Sequence, residues 1–102
     1  MASESEIENK ILAKGLTAPR LTPDLIDSKI IGENYYVVPN TTVTLCTLFL
    51  ENGFTVTGES AAVSADNFDA EIGITVARQN AREKIWQLEG YLLKQRIFEG
   101  RN

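Results

Sequence analysis

Arg78 and Arg82, four residues apart, are the side chains of this sequence best suited to chemistry. At that spacing they share a helix face, and each guanidinium offers a planar fork of donors that matches a phosphate or pyrophosphate. Asn80 and Lys84 lie to one flank of the pair. The competing reading is that the arginines form surface pairs with Glu83, Asp69 or Glu71, or simply stand in water. Arg20 falls between Pro19 and Pro23, a stiff segment that would hold a guanidinium at low entropic cost; its alternative role is to cap a helix C-terminus. Asn67-Phe68-Asp69 opens the final helix, where free backbone N–H groups can receive an anion. Phe68 as a core anchor and Asp69 as compensation for the helix dipole are the simpler readings there. Phe54, just past a turn, is either a packing residue or an exposed ring on which a base stacks.

Catalytic chemistry has little else to work with. Histidine is absent, which removes the commonest general base, the Ser-His and Cys-His nucleophilic arrangements and the commonest metal ligand. Cys46 is the single cysteine, so neither an intrachain disulfide nor a thiolate zinc cluster can form. The carboxylates Glu51, Glu59, Glu71, Glu83 and Glu89 show no metal-binding or paired-acid spacing, and no P-loop or dinucleotide fingerprint is present. The expectation is a binding protein rather than an enzyme, with no metal and no cofactor.

Positioning these side chains falls to one domain. The 102 residues suffice for one core and not two, so 1–102 is read as a single unit with 1–6 as a disordered tail. An apolar fraction of 43% and a charged fraction of 24% are those of a folding chain. A net charge of −4 argues against a surface that tracks extended nucleic acid. The acidic start lacks the features of a secretory signal, and no apolar run approaches the roughly 20 residues that span a bilayer. A reducing cytoplasm and no membrane association are expected.

The element pattern is α+β. Ser3 and Ser5 precede Ile7, Ile11 and Leu12 at helical spacing, with Gly15 as the terminating cap. Thr22-Pro23-Asp24 starts a second short helix, whose apolar face comprises Leu25, Ile26, Ile30 and Ile31 and which ends at Gly32. Residues 35–38 form an edge strand or an extended lead-in. Residues 41–51 and 54–63 make an antiparallel hairpin around Asn52-Gly53. With a two-residue loop, Phe49 pairs with Val56 and Leu45 with Ser60 on one face, and Leu48 with Thr57 on the other. A long helix over 65–98, capped by Ser64, carries Phe68, Ile72, Val76, Ile85, Leu88 and Leu92 down one side, with Ala77 and Ala81 beside them. At roughly 50 Å it exceeds a compact domain, so it either breaks at Gly73 or Gly90 or projects onto another subunit. Close approach by a second backbone would justify those glycines, and a homo-oligomer is expected.

The segments Ala18-Pro19-Arg20-Leu21-Thr22-Pro23, Asn52-Gly53-Phe54-Thr55-Val56-Thr57-Gly58-Glu59-Ser60-Ala61, Asn67-Phe68-Asp69-Ala70-Glu71-Ile72-Gly73 and Lys84-Ile85-Trp86-Gln87-Leu88-Glu89-Gly90-Tyr91-Leu92-Leu93 carry a resemblance to a known family. From about Ile7 to Ile97 the chain resembles the small tailed-phage proteins of the N4 and Sf6 type, first catalogued as genes of unknown function. That family is similar, more distantly, to the type-one anti-Thoeris proteins of phages, oligomers of helices around a hairpin that sequester cyclic nucleotide signals, notably cyclic ADP-ribose isomers. Their sites use arginines of the long helix, an aromatic ring and an asparagine. The resemblance implies ligand-binding roles for Arg78 and Arg82 and, as further candidates, for Arg20, Phe54 and Asn67. It also implies a bacteriophage anti-defence sponge in the cytoplasm of the infected bacterial host. The alternative is an oligomeric protein-interaction factor of phage origin without a small-molecule ligand.

Overall fold

The computed structural model describes residues 3–101. Helix α1 (Glu4–Ala13) starts where Ser3 accepts a hydrogen bond from the Glu6 N–H at 3.1 Å, and Gly15 follows it with a φ of 66°. Residues 4–6 are therefore helical, not the disordered tail expected of 1–6; Met1 and Ala2 lie outside the described residues. Helix α2 (Pro23–Ser28) has Thr22 as its N-cap and proline in its first turn. It ends four residues short of Gly32, because Ile30 and Ile31 enter a strand instead. Paired β-branched residues favour a pleated, half-buried surface over a helix end.

Three antiparallel strands, β1 (Ile30–Val37), β2 (Val43–Leu50) and β3 (Thr55–Ala61), form a sheet in the order β1-β2-β3. The edge strand anticipated at 35–38 is thus the end of a full strand. The hairpin register differs by one residue from a two-residue loop: Phe49 faces Thr55, Leu48 faces Val56 and Leu45 faces Glu59. Leu50 closes against Phe54 instead, so the loop is Glu51-Asn52-Gly53. The Gly53 N–H donates to the Leu50 carbonyl at 2.9 Å and Gly53 takes a φ of 91°, as in a three-residue loop with a left-handed third residue. Packing selects this register. It places Leu48 with Val56, and Cys46 with Gly58, on one buried face; a one-residue slip would turn Val56 away from Leu48.

Ser64 caps a single 3-10 turn (Ala65–Asn67), and the backbone is extended at Phe68 and Asp69 before α3 (Ala70–Phe98) begins under an Asp69 cap. The expected continuous helix from 65 is therefore interrupted at its start, and it breaks at neither Gly73 nor Gly90. Its 29 residues span about 43 Å, against roughly 26 Å for an eight-residue strand beneath it. Helix α3 buries Ala77, Ala81 and Ile85 against Cys46, Leu48, Leu50 and Val56, with Ile26 of α2 closing the core. Of the large apolar residues in the anticipated stripe, Ile85 alone is fully buried, whereas Ile72 is 63% exposed and Leu88 and Leu92 about 40%. Gly58 explains the choice of alanines. A Cβ there would lie 2.2 Å from the Ala81 nitrogen and 2.4 Å from the Ala77 oxygen, so sheet and helix backbones touch. Gly73 likewise answers to its own chain, since its Cβ would meet the Thr44 hydroxyl at 2.8 Å, whereas Gly90 meets only Leu21 at 3.8 Å. Neither glycine requires a second subunit's backbone.

Candidate ligand-binding site

Helix α3 lies across the sheet on its alanine face, which leaves two flanks with different chemistry. Arg78 and Arg82 project from the flank facing β1 and α2. The Arg78 Nε donates to Glu33 Oε2 of β1 at 2.9 Å. The Arg82 Nε donates to Asp27 Oδ1 of α2 at 2.8 Å, a second nitrogen donates to Glu4 of α1, and a third reaches the Pro23 carbonyl at 3.4 Å. None of the surface partners expected from spacing, Glu83, Asp69 or Glu71, is used. The carboxylates come from far along the chain.

Burial opposes the charge of Arg82, whose side chain is 14% exposed, but hydrogen bonds to Asp27 and Glu4 more than offset it and push its pKa up. The hydrogen bond to Glu33 raises that of Arg78. Both guanidiniums stay charged, and three carboxylates face the two of them.

Arg20 belongs to this flank as well, but by way of α1. It makes a two-pronged pair with Glu8, one turn beyond Glu4, and donates to the Leu21 carbonyl at 3.4 Å. It caps no helix. The Trp86 Nε1 donates to Glu4 Oε2 at 3.2 Å, so the indole's polar tip meets the same carboxylate as Arg82.

The other flank of α3 faces β3. Asn80 donates to the Glu59 carbonyl at 2.7 Å and the Lys84 ammonium donates to the Thr57 carbonyl. Asn67 lines a groove of about 380 Å³ between the end of β3 and the start of α3, together with Ser60, Phe68, Asp69 and Asn80. The backbone N–H of Ile72 at this helix start is already taken by Asp69. Phe54 stands at the hairpin tip, 56% exposed, in a depression it shares with Lys84 and Leu88. Within one chain, then, the five candidate residues divide. Arg20, Arg78 and Arg82 share one flank, while Asn67 and Phe54 sit on the other, and neither the groove at Asn67 nor the depression at Phe54 contains an arginine of the pair.

Glu4, Glu8, Asp27 and Glu33 are not among the residues whose spacing points to chemistry. For Glu4 and Glu8 a signal existed, since carboxylates four apart on an amphipathic helix form a bidentate acidic face. Asp27 and Glu33 carried none.

An α+β protein with one long helix laid over a three-stranded sheet, and arginines along that helix's flank, is the class this geometry defines. The chain belongs to the Phage protein (N4 Gp49/phage Sf6 gene 66) family, whose model matches residues 21–97. The match takes in α2, the sheet and nearly all of α3; α1 lies before it. No curated protein and no solved structure matches the chain. Among the described residues, no helix is long and apolar enough to cross a membrane.

Proposed function

We propose that this phage-family protein acts by binding and sequestering a phosphorylated or cyclic nucleotide in the infected host cell, without chemical conversion. The observation that supports the reading is the placement of Arg78 and Arg82, one turn apart on one flank of α3, both charged and both reaching toward surface carboxylates. Glu33, Asp27 and Glu4 are each about half exposed. The Arg78–Glu33 pair, with both side chains partly exposed, contributes about 0–1 kcal/mol, whereas a phosphate offers the guanidinium fork a bidentate contact. A phosphate can therefore exchange for a carboxylate that swings into water. Because Asn67 and Phe54 lie on the opposite flank, a site using all five residues is shared between copies of the chain, which makes the working form a homo-oligomer.

The experiment is calorimetric titration with cyclic dinucleotides, cyclic trinucleotides and cyclic ADP-ribose isomers, repeated with Arg78→Ala. Arg78 is the better probe because Arg82 also ties α1 and α2 to α3. Loss of one contact predicts a weakening of about one to two decades. Binding unchanged by the substitution contradicts the assignment.

A second reading, an oligomeric protein-interaction factor without a small-molecule ligand, is favoured by the free end of α3. Beyond Ile85 no residue of that helix is fully buried, and Tyr91 and Phe98 are 76% and 80% exposed. A monomer by light scattering at micromolar concentration would contradict the shared site and remove self-assembly from both readings.

A further inference from the structure

Among the described residues, every side-chain hydrogen bond that joins helix α1 to another element is made by Glu4 or Glu8, and Ile11 alone of its apolar residues is half-buried. None of its residues is buried, and Ile7 and Leu12 are 48% and 63% exposed. Beneath it runs an unfilled groove of about 450 Å³ lined by Ile7, Ile11, Leu21, Pro23 and Trp86. Its attachments are Glu4 to Arg82 and Trp86, and Glu8 to Arg20. Glu4 and Glu8 are four residues apart, one helical turn, so they share a face of α1. Each carboxylate sits on its own guanidinium. The segment that follows turns at the left-handed Gly15 and is exposed as far as Pro19, so α1 can lift without disturbing α2. A ten-residue helix is also too short to persist alone, so release would unfold it.

We infer that Arg20 and Arg82 form an anion-binding site that α1 occupies in cis through Glu8 and Glu4, and that a ligand with two phosphate groups enters by displacing α1. The inference rests on the nucleotide reading only through Arg82, and it names what controls access to that arginine. Opening α1 removes one of the three carboxylates that face the Arg78–Arg82 pair and uncovers a second guanidinium, Arg20. The two guanidiniums that Glu8 and Glu4 occupied are then available to a ligand that carries two phosphate groups.

Trp86 is the sole tryptophan and touches Glu4, so its emission reports α1 directly. The test uses the full chain, with inorganic pyrophosphate as the probe, comparing the wild type with a Glu4→Gln, Glu8→Gln double variant whose fold is checked by circular dichroism. In the wild type, pyrophosphate should red-shift Trp86 emission and speed tryptic cleavage after Lys14. In the variant both changes should be present without ligand, and pyrophosphate should bind about tenfold tighter, the effect of removing competition worth about 1.4 kcal/mol. Wild-type emission and cleavage in the folded variant overturn the inference, as does unimproved binding of pyrophosphate. A cyclic nucleotide that binds without moving Trp86 emission also overturns it while leaving sequestration intact. Pyrophosphate that displaces α1 when no cyclic nucleotide binds has the opposite meaning: the cis-occupied site stands and nucleotide sequestration falls.

Discussion

Replacing Gly58 by alanine probes the contact that sets α3 over the sheet and, with it, the positions of Arg78 and Arg82. The added Cβ would lie 2.2, 2.4 and 2.8 Å from the Ala81 nitrogen, the Ala77 oxygen and the Ala81 Cα. All three are backbone atoms of one helix, so no side-chain rotamer can relieve the overlap. Restoring contacts of about 3.4 Å or more requires α3 to lift by roughly 1 Å, which loosens Ala77, Ala81 and Ile85 against Leu48 and Val56. Overpacking of a core ordinarily costs about 1–3 kcal/mol; with backbone on both sides the cost belongs at the upper end, about 3 kcal/mol. Against a total of about 5–15 kcal/mol that is a large fraction. For a chain of this size it corresponds to a fall in Tm of roughly 12–24 °C. Thermal melting followed by circular dichroism, with urea unfolding as a check, measures it. A Gly58→Ala protein that melts within about 3 °C of the wild type refutes the backbone contact and the packing built on it.

Gly53→Val should lower thermal stability, because a β-branched residue resists the φ of 91° that closes the loop; an unchanged melting curve contradicts the three-residue turn. Burial pushes the Cys46 thiol up, so native protein should resist alkylation at neutral pH and react once unfolded, with mass spectrometry as the readout. Rapid native modification contradicts its placement in the core. Burial first, then the neighbouring Cys46 and Glu33, raises the Tyr35 phenol as well. Both groups fold in their neutral forms, so the stability they contribute is present below their ordinary values of 9.0 and 10.0 and is lost as pH rises beyond them. Melts at neutral pH and at about pH 10.5 should differ in that direction; equal or greater alkaline stability contradicts it.

The local signals in the sequence were sound where a short segment decides its own conformation. Ser3, Thr22 and Ser64 cap where their hydroxyls suggest, and Asn52-Gly53 marks the hairpin. Signals that depend on a distant partner were not readable. The register turned on which of two apolar faces of β2 would meet α3, and both carry large side chains. Alanine carries almost no hydrophobic signal of its own, so Ala77 and Ala81 read as accessories to Ile72 and Val76 until Gly58 supplies the backbone contact that demands them. The pairing of Arg78 with Arg82 is local and was legible. Their partners Glu33, Asp27 and Glu4 lie 45, 55 and 78 residues away, set by the packing of three other elements on α3.

Sequestration is tested most directly by mixing purified protein in excess with a cyclic ADP-ribose isomer or a cyclic oligonucleotide, removing the protein by filtration and then denaturing it. The account predicts that at least one such ligand disappears from the filtrate in proportion to protein added, and that denaturation returns it chemically unchanged. It predicts also that Arg78→Ala leaves most of the ligand in the filtrate. A full panel left in the filtrate by the wild type, or a ligand recovered as a cleaved product, contradicts it.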